Sequence, residues 1–168
     1  LLQSSAASDV YKRQFQECTS LASITLPSSP VSIEYRAFYQ CRALTSVTIG
    51  NGVITIGAEA FRLCTSLTSI TIPDSVTSIG DGAFTDCFNL TMIEVGAGNV
   101  NYTAVNGVLF NKEMTLLHIY PAAKTGANYV IPDSVTNIGN WAFNGCNSLT
   151  NITIPDSVTS IGQRAVSY

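Results

Sequence analysis

Phe15, Phe38, Phe61 and Phe84 stand 23 residues apart, and the same step separates Cys18, Cys41, Cys64 and Cys87 and separates Leu21, Leu44, Leu67 and Leu90. The lattice resumes at Phe143, Cys146 and Leu149. Self-similarity at such a period is the signature of a solenoid, in which one supersecondary unit stacks on the next. A single unit has too little apolar surface to offset the entropy of ordering its backbone, so its neighbours must supply the other wall of the core. This constraint argues against a compact catalytic domain and leaves open what the solenoid binds.

The unit from Phe61 to Ala83 is the most regular. Leu67, Ile70 and Ile72 fit the L-x-x-L-x-L pattern of a leucine-rich repeat, and the alternation Ile70, Thr71, Ile72 predicts a short strand with Thr71 outward. Pro73 lacks a backbone donor and should end that strand, and Asp74 and Ser75 bring turn chemistry. Val76 and Ile79 point inward again. Ala83, Phe84 and Cys87 are expected on one face of a short helical turn. The predicted core is therefore Phe38, Cys41, Leu44, Phe61, Cys64, Leu67, Ile70, Ile72, Phe84, Cys87, Leu90, Phe143, Cys146 and Leu149.

Between Phe84 and Phe143 lie 59 residues, which is two periods of 23 plus 13. Within that stretch Asn106-Gly107 is a tight-turn signal. Val108-Leu109-Phe110 and Leu116 to Tyr120 read as strands paired across a polar turn at residues 111–115. Tyr129 to Pro132 restores the register. Residues 15–95 and 131–165 are thus regular repeats, and residues 96–130 form a larger variant repeat with a hairpin. That insert is either a bigger repeat with its own core or a distinct binding patch bearing Tyr102, Lys112, Glu113 and His118.

Composition narrows the function classes. Only 11% of residues are charged and the formal net charge is -3, so no broad basic footprint exists for nucleic acid. No apolar run approaches the ~18 residues that span a bilayer as a helix. Asp9 to Gln14 resembles the translated end of a transposon used in sequencing libraries, and Val166 to Tyr168 resembles the same element read in the opposite sense. Residues 1–14 are therefore expected to be a non-native tail that packs against nothing, and residues 166–168 a non-native end. The remaining segment, 15–165, carries 6 basic and 10 acidic residues, a charge of -4.

The candidate chemistry reads as structural. Each cysteine occupies the same inward slot of its repeat, where a thiol behaves as a small hydrophobe. The side chains of stacked neighbours run alongside one another, a poor geometry for a disulfide. His118 is the single histidine, which leaves zinc without partners, and no nucleophile signature surrounds it. Asp74, Asp133 and Asp156 sit at equivalent turn positions, better suited to capping than to acid–base work. Three Asn-x-Thr sequons begin at Asn89, Asn101 and Asn151 and read as chance in an Asn- and Thr-rich chain. No catalytic residue, metal site or cofactor is assigned.

The recurrent Ile-Pro-Asp-Ser-Val-Thr-x-Ile-Gly at residues 72–80, 131–139 and 154–162, together with Ala-Phe-x-x-Cys, closely resembles the BspA-like, or treponemal, class of leucine-rich repeat. The resemblance implies a leucine-rich-repeat solenoid, right-handed and mainly β, with a parallel sheet of short strands on its concave face and turns elsewhere. It implies a non-enzymatic protein-interaction module of a secreted or cell-surface adhesin that contacts host matrix proteins or other cells. Alternatives are a targeting or spacer module of a larger secreted hydrolase and a purely structural stalk. On the first reading the partner-binding residues are Ser46, Thr48, Ser69, Thr71, Glu94, Asn151 and Thr153 on the strands, with Tyr102 and His118 on the insert.

Overall fold

The computed structural model describes the backbone of Val10–Tyr11 and residues 14–29 and 31–167. Its coils alternate between two parallel ladders. The first ladder holds β2 (Ser23–Thr25), β4 (Ser46–Thr48), β6 (Ser69–Ile72), β8 (Met92–Val95), β12 (Asn128–Val130) and β14 (Asn151–Thr153). The second holds β1 (Val10–Tyr11), β3 (Val31–Ile33), β5 (Val53–Ile56), β7 (Ser78–Ile79), β11 (Leu116–Ile119), β13 (Asn137–Ile138) and β15 (Ser160–Ile161). In-register pairing puts Ser23 beside Ser46 and Ser69 beside Met92 in the first ladder, and Ile56 beside Ile79 in the second. Hydrogen-bonded pairing in the first ladder joins β2 to β4, β6 to β8 and β12 to β14, and in the second it divides β1, β3, β5 and β7 from β11, β13 and β15. The chain is thus a β-solenoid of stacked leucine-rich repeats, as its period predicts. None of the described residues forms a helix long and apolar enough to cross a membrane.

The two ladders meet at a corner built around the Ala-Phe pair. Phe15, Phe38, Phe61 and Phe84 stack ring on ring with centroids 5.2, 5.1 and 5.4 Å apart and planes within 7°. The expected helical turn is absent there. Hydrogen bonds Ala37 N to Glu34 O, Tyr39 N to Arg36 O and Cys41 N to Phe38 O close successive three-residue turns. Two residues per corner are left-handed, Arg36 (φ 57°) and Gln40 (φ 60°) in one coil and Glu59 (φ 55°) and Leu63 (φ 63°) in the next. That geometry breaks a helix and frees alternate backbone N–H groups. Arg36, Phe38 and Gln40 donate theirs to Ala58, Ala60 and Arg62 of the following coil. Left-handed non-glycine residues are uncommon and carry strain. Here a row of inter-coil bonds holds them.

The thiols belong to the same corner. Cys41, Cys64 and Cys87 are buried, and each Sγ donates to the carbonyl of the Phe 26 residues earlier, at 3.0, 3.2 and 3.1 Å. Burial pushes the Cys41 thiol up to about 11 and the Cys87 and Cys146 thiols up to about 12. They stay protonated at neutral pH, which removes the nucleophilic thiolate.

Hydroxyl side chains add a second kind of inter-coil bond that the repeat pattern does not announce. Thr45, Thr91 and Thr150 donate Oγ1 to the carbonyls of Ala22, Thr68 and Ala127, each 23 residues back. Ser75 and Ser157 do the same to Val53 and Val135, 22 residues back.

The insert sits where a strand of the second ladder would be. β9 (Tyr102–Val105) and β10 (Val108–Asn111) form an antiparallel hairpin across Asn106 (φ 51°) and Gly107 (φ 81°), a two-residue turn with both residues left-handed. β10 then pairs antiparallel with β11, and β11 pairs parallel with β13. The strands β9, β10, β11, β13 and β15 thus form one sheet in that order, separate from the sheet of β1, β3, β5 and β7. The hairpin also divides the core. Leu109 packs into the cluster of the first coils, whereas Val108 and Phe110 pack into that of the last ones.

Two expectations need correction. Val10–Tyr11 pairs in parallel with β3, so this part of residues 1–14 does not lie free of the repeats. Most of the remainder of that segment, Tyr168 and Pro30 fall outside the described residues. Tyr102 is 7% exposed, and its hydroxyl accepts a hydrogen bond from Ile79 N at 2.9 Å. It plugs the junction between β7 and the hairpin and offers no binding surface.

Candidate interaction surface

On the first ladder every second side chain faces solvent. Ser46, Thr48, Ser69, Thr71, Glu94, Asn151 and Thr153 are all exposed, and Val47 and Ile70 between them are buried. The face is a lattice of hydroxyls and amides with lateral bonds: Thr71 Oγ1 donates to Glu94 Oε2 at 3.2 Å and Asn151 Nδ2 to Asn128 Oδ1 at 2.8 Å. Glu94 is the sole charge among the outward residues of its strands. Exposed Met92 and Val130 add apolar contact area. Beside β8 the hairpin tip leans on the ladder through Ile93 N to Gly107 O at 3.0 Å. The result is a shallow depression lined by Thr71, Met92, Glu94, Val95 and Ala104.

A second feature is a small cleft at the corner, and it follows from the arithmetic of the insert. Tyr120 takes the Phe slot of its coil: its N–H donates to Ala142 O at 2.8 Å, Cys146 Sγ donates to its carbonyl, and its ring lies 5.4 Å from that of Phe143. The 59-residue gap is therefore 36 residues to Tyr120 and 23 more to Phe143. Tyr120-Pro121-Ala122 lacks the outward loop of Ala-Phe-x-x-Cys, and the coil cuts across the corner. The coils on either side meet over it. Asp86 N reaches Asn144 Oδ1 at 3.1 Å, and Asn140 Nδ2 reaches Asp81 Oδ2 at 2.8 Å, across 58 and 59 residues. Asn144 supplies through its side chain the acceptor that a backbone carbonyl supplies in regular coils, as Arg62 does for Gln40.

The space left beneath this bridge is a cleft of about 70 Å³ lined by Asp81, His118 and Trp141 among others. His118 is half-buried, packs edge-on against Tyr102 at 5.3 Å, and is held below its usual pKa by burial, with Asp81 opposing. Asp81, Thr85 and His118 line the same cleft. None of the described residues form a group of three or more metal-binding side chains.

Along the corner runs a charged row that the repeat pattern hides within its variable positions. Arg36 and Arg62 both contact Glu59 Oε2, at 2.9 and 3.1 Å, and Arg62 Nε contacts Asp86 Oδ2 at 3.1 Å. The alternation of sign at 23- and 24-residue steps was the available signal. Isolated surface ion pairs contribute little, about 0–1 kcal/mol, so the row adds little to stability.

Comparison with known proteins agrees with this architecture. The sequence profile described as BspA type leucine rich repeat region matches in 6 copies over residues 4–119 and 123–168. A leucine-rich cell surface protein of Faecalibacterium prausnitzii A2-165 is 34% identical over 89% of this chain and 40% of its own, with a TM-score of 0.81. A leucine-rich repeat protein from Eubacterium ventriosum is 31% identical over 86% of this chain and 50% of its own, with a TM-score of 0.60. The pneumococcal vaccine antigen PcpA shares the fold at 22% identity and a TM-score of 0.63, over 84% of this chain and 47% of its own. This chain thus spans about half or less of each of these proteins. A comparison with curated proteins gives no match. Repeat period, corner chemistry and profile agree, and the chain belongs to the BspA-type leucine-rich repeat family.

Proposed function

We propose that this chain is a non-enzymatic protein-binding segment of a secreted or cell-surface adhesin, and that its first ladder contacts host matrix or cell-surface proteins. The observation that carries the reading is the exposed lattice of Ser46, Thr48, Ser69, Thr71, Glu94, Asn151 and Thr153, where broad area is free of packing duty. Its likeness to a protein described as a cell surface protein supports the location. One segment of this kind binds weakly, because its outward side chains include few aromatic anchors, and many repeats together raise avidity. In this proposal the repeats of residues 15–165 form the binding domain.

The test is a binding assay of the chain on immobilised matrix proteins across a salt series. With one charge on the face, the affinity is expected to change less than about threefold between 0.05 and 0.5 M salt, since screening acts on charged contacts. A tenfold or larger loss would place the contact on the charged corner row instead. Hydrolysis of the bound protein would refute the non-enzymatic reading.

A further inference from the structure

We propose that the corner cleft is a receptor for an alkylammonium group, namely a lysine side chain presented by a partner protein. The proposal concerns a site away from the first ladder and shares with the ladder reading only the premise that the partner is a protein. Three observations converge on it. The cleft's carboxylate, Asp81, forms none of the ion pairs among the described residues and holds only the Asn140 amide. Among the described residues no lysine or arginine lines the space, and the guanidinium groups of Arg62 and Arg164 lie against the Trp141 ring at 5.8 and 4.9 Å. Arg62 is in turn paired with Glu59 and Asp86.

The walls suit the stem of such a ligand. Phe84, Leu90, Pro121 and Trp141 give apolar and aromatic surface, and burial disfavours the charged form of His118. An anionic ligand would face the Asp81 carboxylate. A cleft of about 70 Å³ admits more than one water-sized group, enough for the end of an alkylammonium chain. The site exists because Tyr120-Pro121-Ala122 skips the corner loop, so regular coils of this chain have no equivalent.

Trp141 is the only tryptophan, and its emission reports on the cleft directly. The experiment titrates the full chain with N-acetyl-lysine methylamide and follows that emission. A saturable change in the millimolar range is expected, as for so small a group. The norleucine analogue, with the same stem and no ammonium, should bind at least tenfold more weakly. Asp81→Asn should also weaken lysine binding at least tenfold with an unchanged Tm, because its side-chain oxygen still accepts from Asn140. The proposal is overturned by an absent saturable response in folded protein, by norleucine binding as well as lysine, or by undiminished binding to Asp81→Asn. No protein partner enters this titration. Its failure therefore leaves the ladder reading standing, and failure of matrix binding leaves the cleft standing.

Discussion

Asn99→Ala lowers the unfolding free energy by about 4 kcal/mol, the largest loss expected from a single polar substitution in this chain. Asn99 is 1% exposed and uses its whole amide. Its Nδ2 donates to Pro73 O at 2.8 Å and Val76 O at 3.0 Å, while its Oδ1 accepts from Asn101 N and Tyr102 N, both at 2.8 Å. One side chain thus ties the turn of a regular coil to the start of the hairpin. Truncation leaves two carbonyls and two N–H groups in a space closed to water, and unsatisfied buried groups cost about 1–3 kcal/mol each. Partial relaxation keeps the total below the sum. Urea denaturation of the two proteins measures it. A loss under about 1 kcal/mol would mean that water reaches the site and that the hairpin is not pinned there.

Phe61→Ala is expected to cost about 3–5 kcal/mol, the range for large aromatic truncations in packed cores. Phe61 is fully buried between Phe38 and Phe84, and removing it opens a gap in the ring stack that the backbone bonds of the corner prevent from collapsing. Thr71→Ala should change stability by no more than about 0.5 kcal/mol, since Thr71 is exposed and its bond to Glu94 is made in water. Thermal melts of both variants decide the matter. Equal shifts would contradict the inward and outward assignment of the repeat.

The regular coils were legible because one physical constraint repeats in them. A 23-residue step keeps Phe, Cys and Leu in register, and Ile-Thr-Ile alternation can only be a strand with one wet face. The form of the corner was not legible, because glycine stands at only two of its left-handed positions, Gly82 and Gly145, while Arg36, Gln40, Glu59, Leu63, Asp86 and Trp141 fill others. The conformation of these non-glycine residues is held by bonds to the next coil. Tyr120 was missed as the aromatic of its coil because no Ala precedes it and no Cys follows at the usual step. The hairpin turn at Asn106-Gly107 was readable from local chemistry, but its place beside β8 and β11 depends on contacts across coils. Tyr102 was assigned to the surface because a tyrosine in a polar insert resembles a contact residue. Burial of its ring and the hydrogen bond from Ile79 reverse that assignment. The cleft arises from a loop that is missing, which a search for motifs passes over.

The central claim, that partners bind to the first ladder, is tested most directly by mapping the face. Two variants of equal added charge are compared for binding to immobilised matrix proteins. One carries Lys at Ser46, Thr48, Ser69 and Thr71 of the first ladder, and the other carries Lys at the exposed Ser78, Asn137, Ser160 and Gln163 on and beside the second. Both sets are solvent-facing, so both proteins should fold with the melting behaviour of the parent. The account predicts that the first variant loses at least tenfold in affinity and that the second stays within about twofold. Undiminished binding by the first variant, or an equal loss in both, would contradict it.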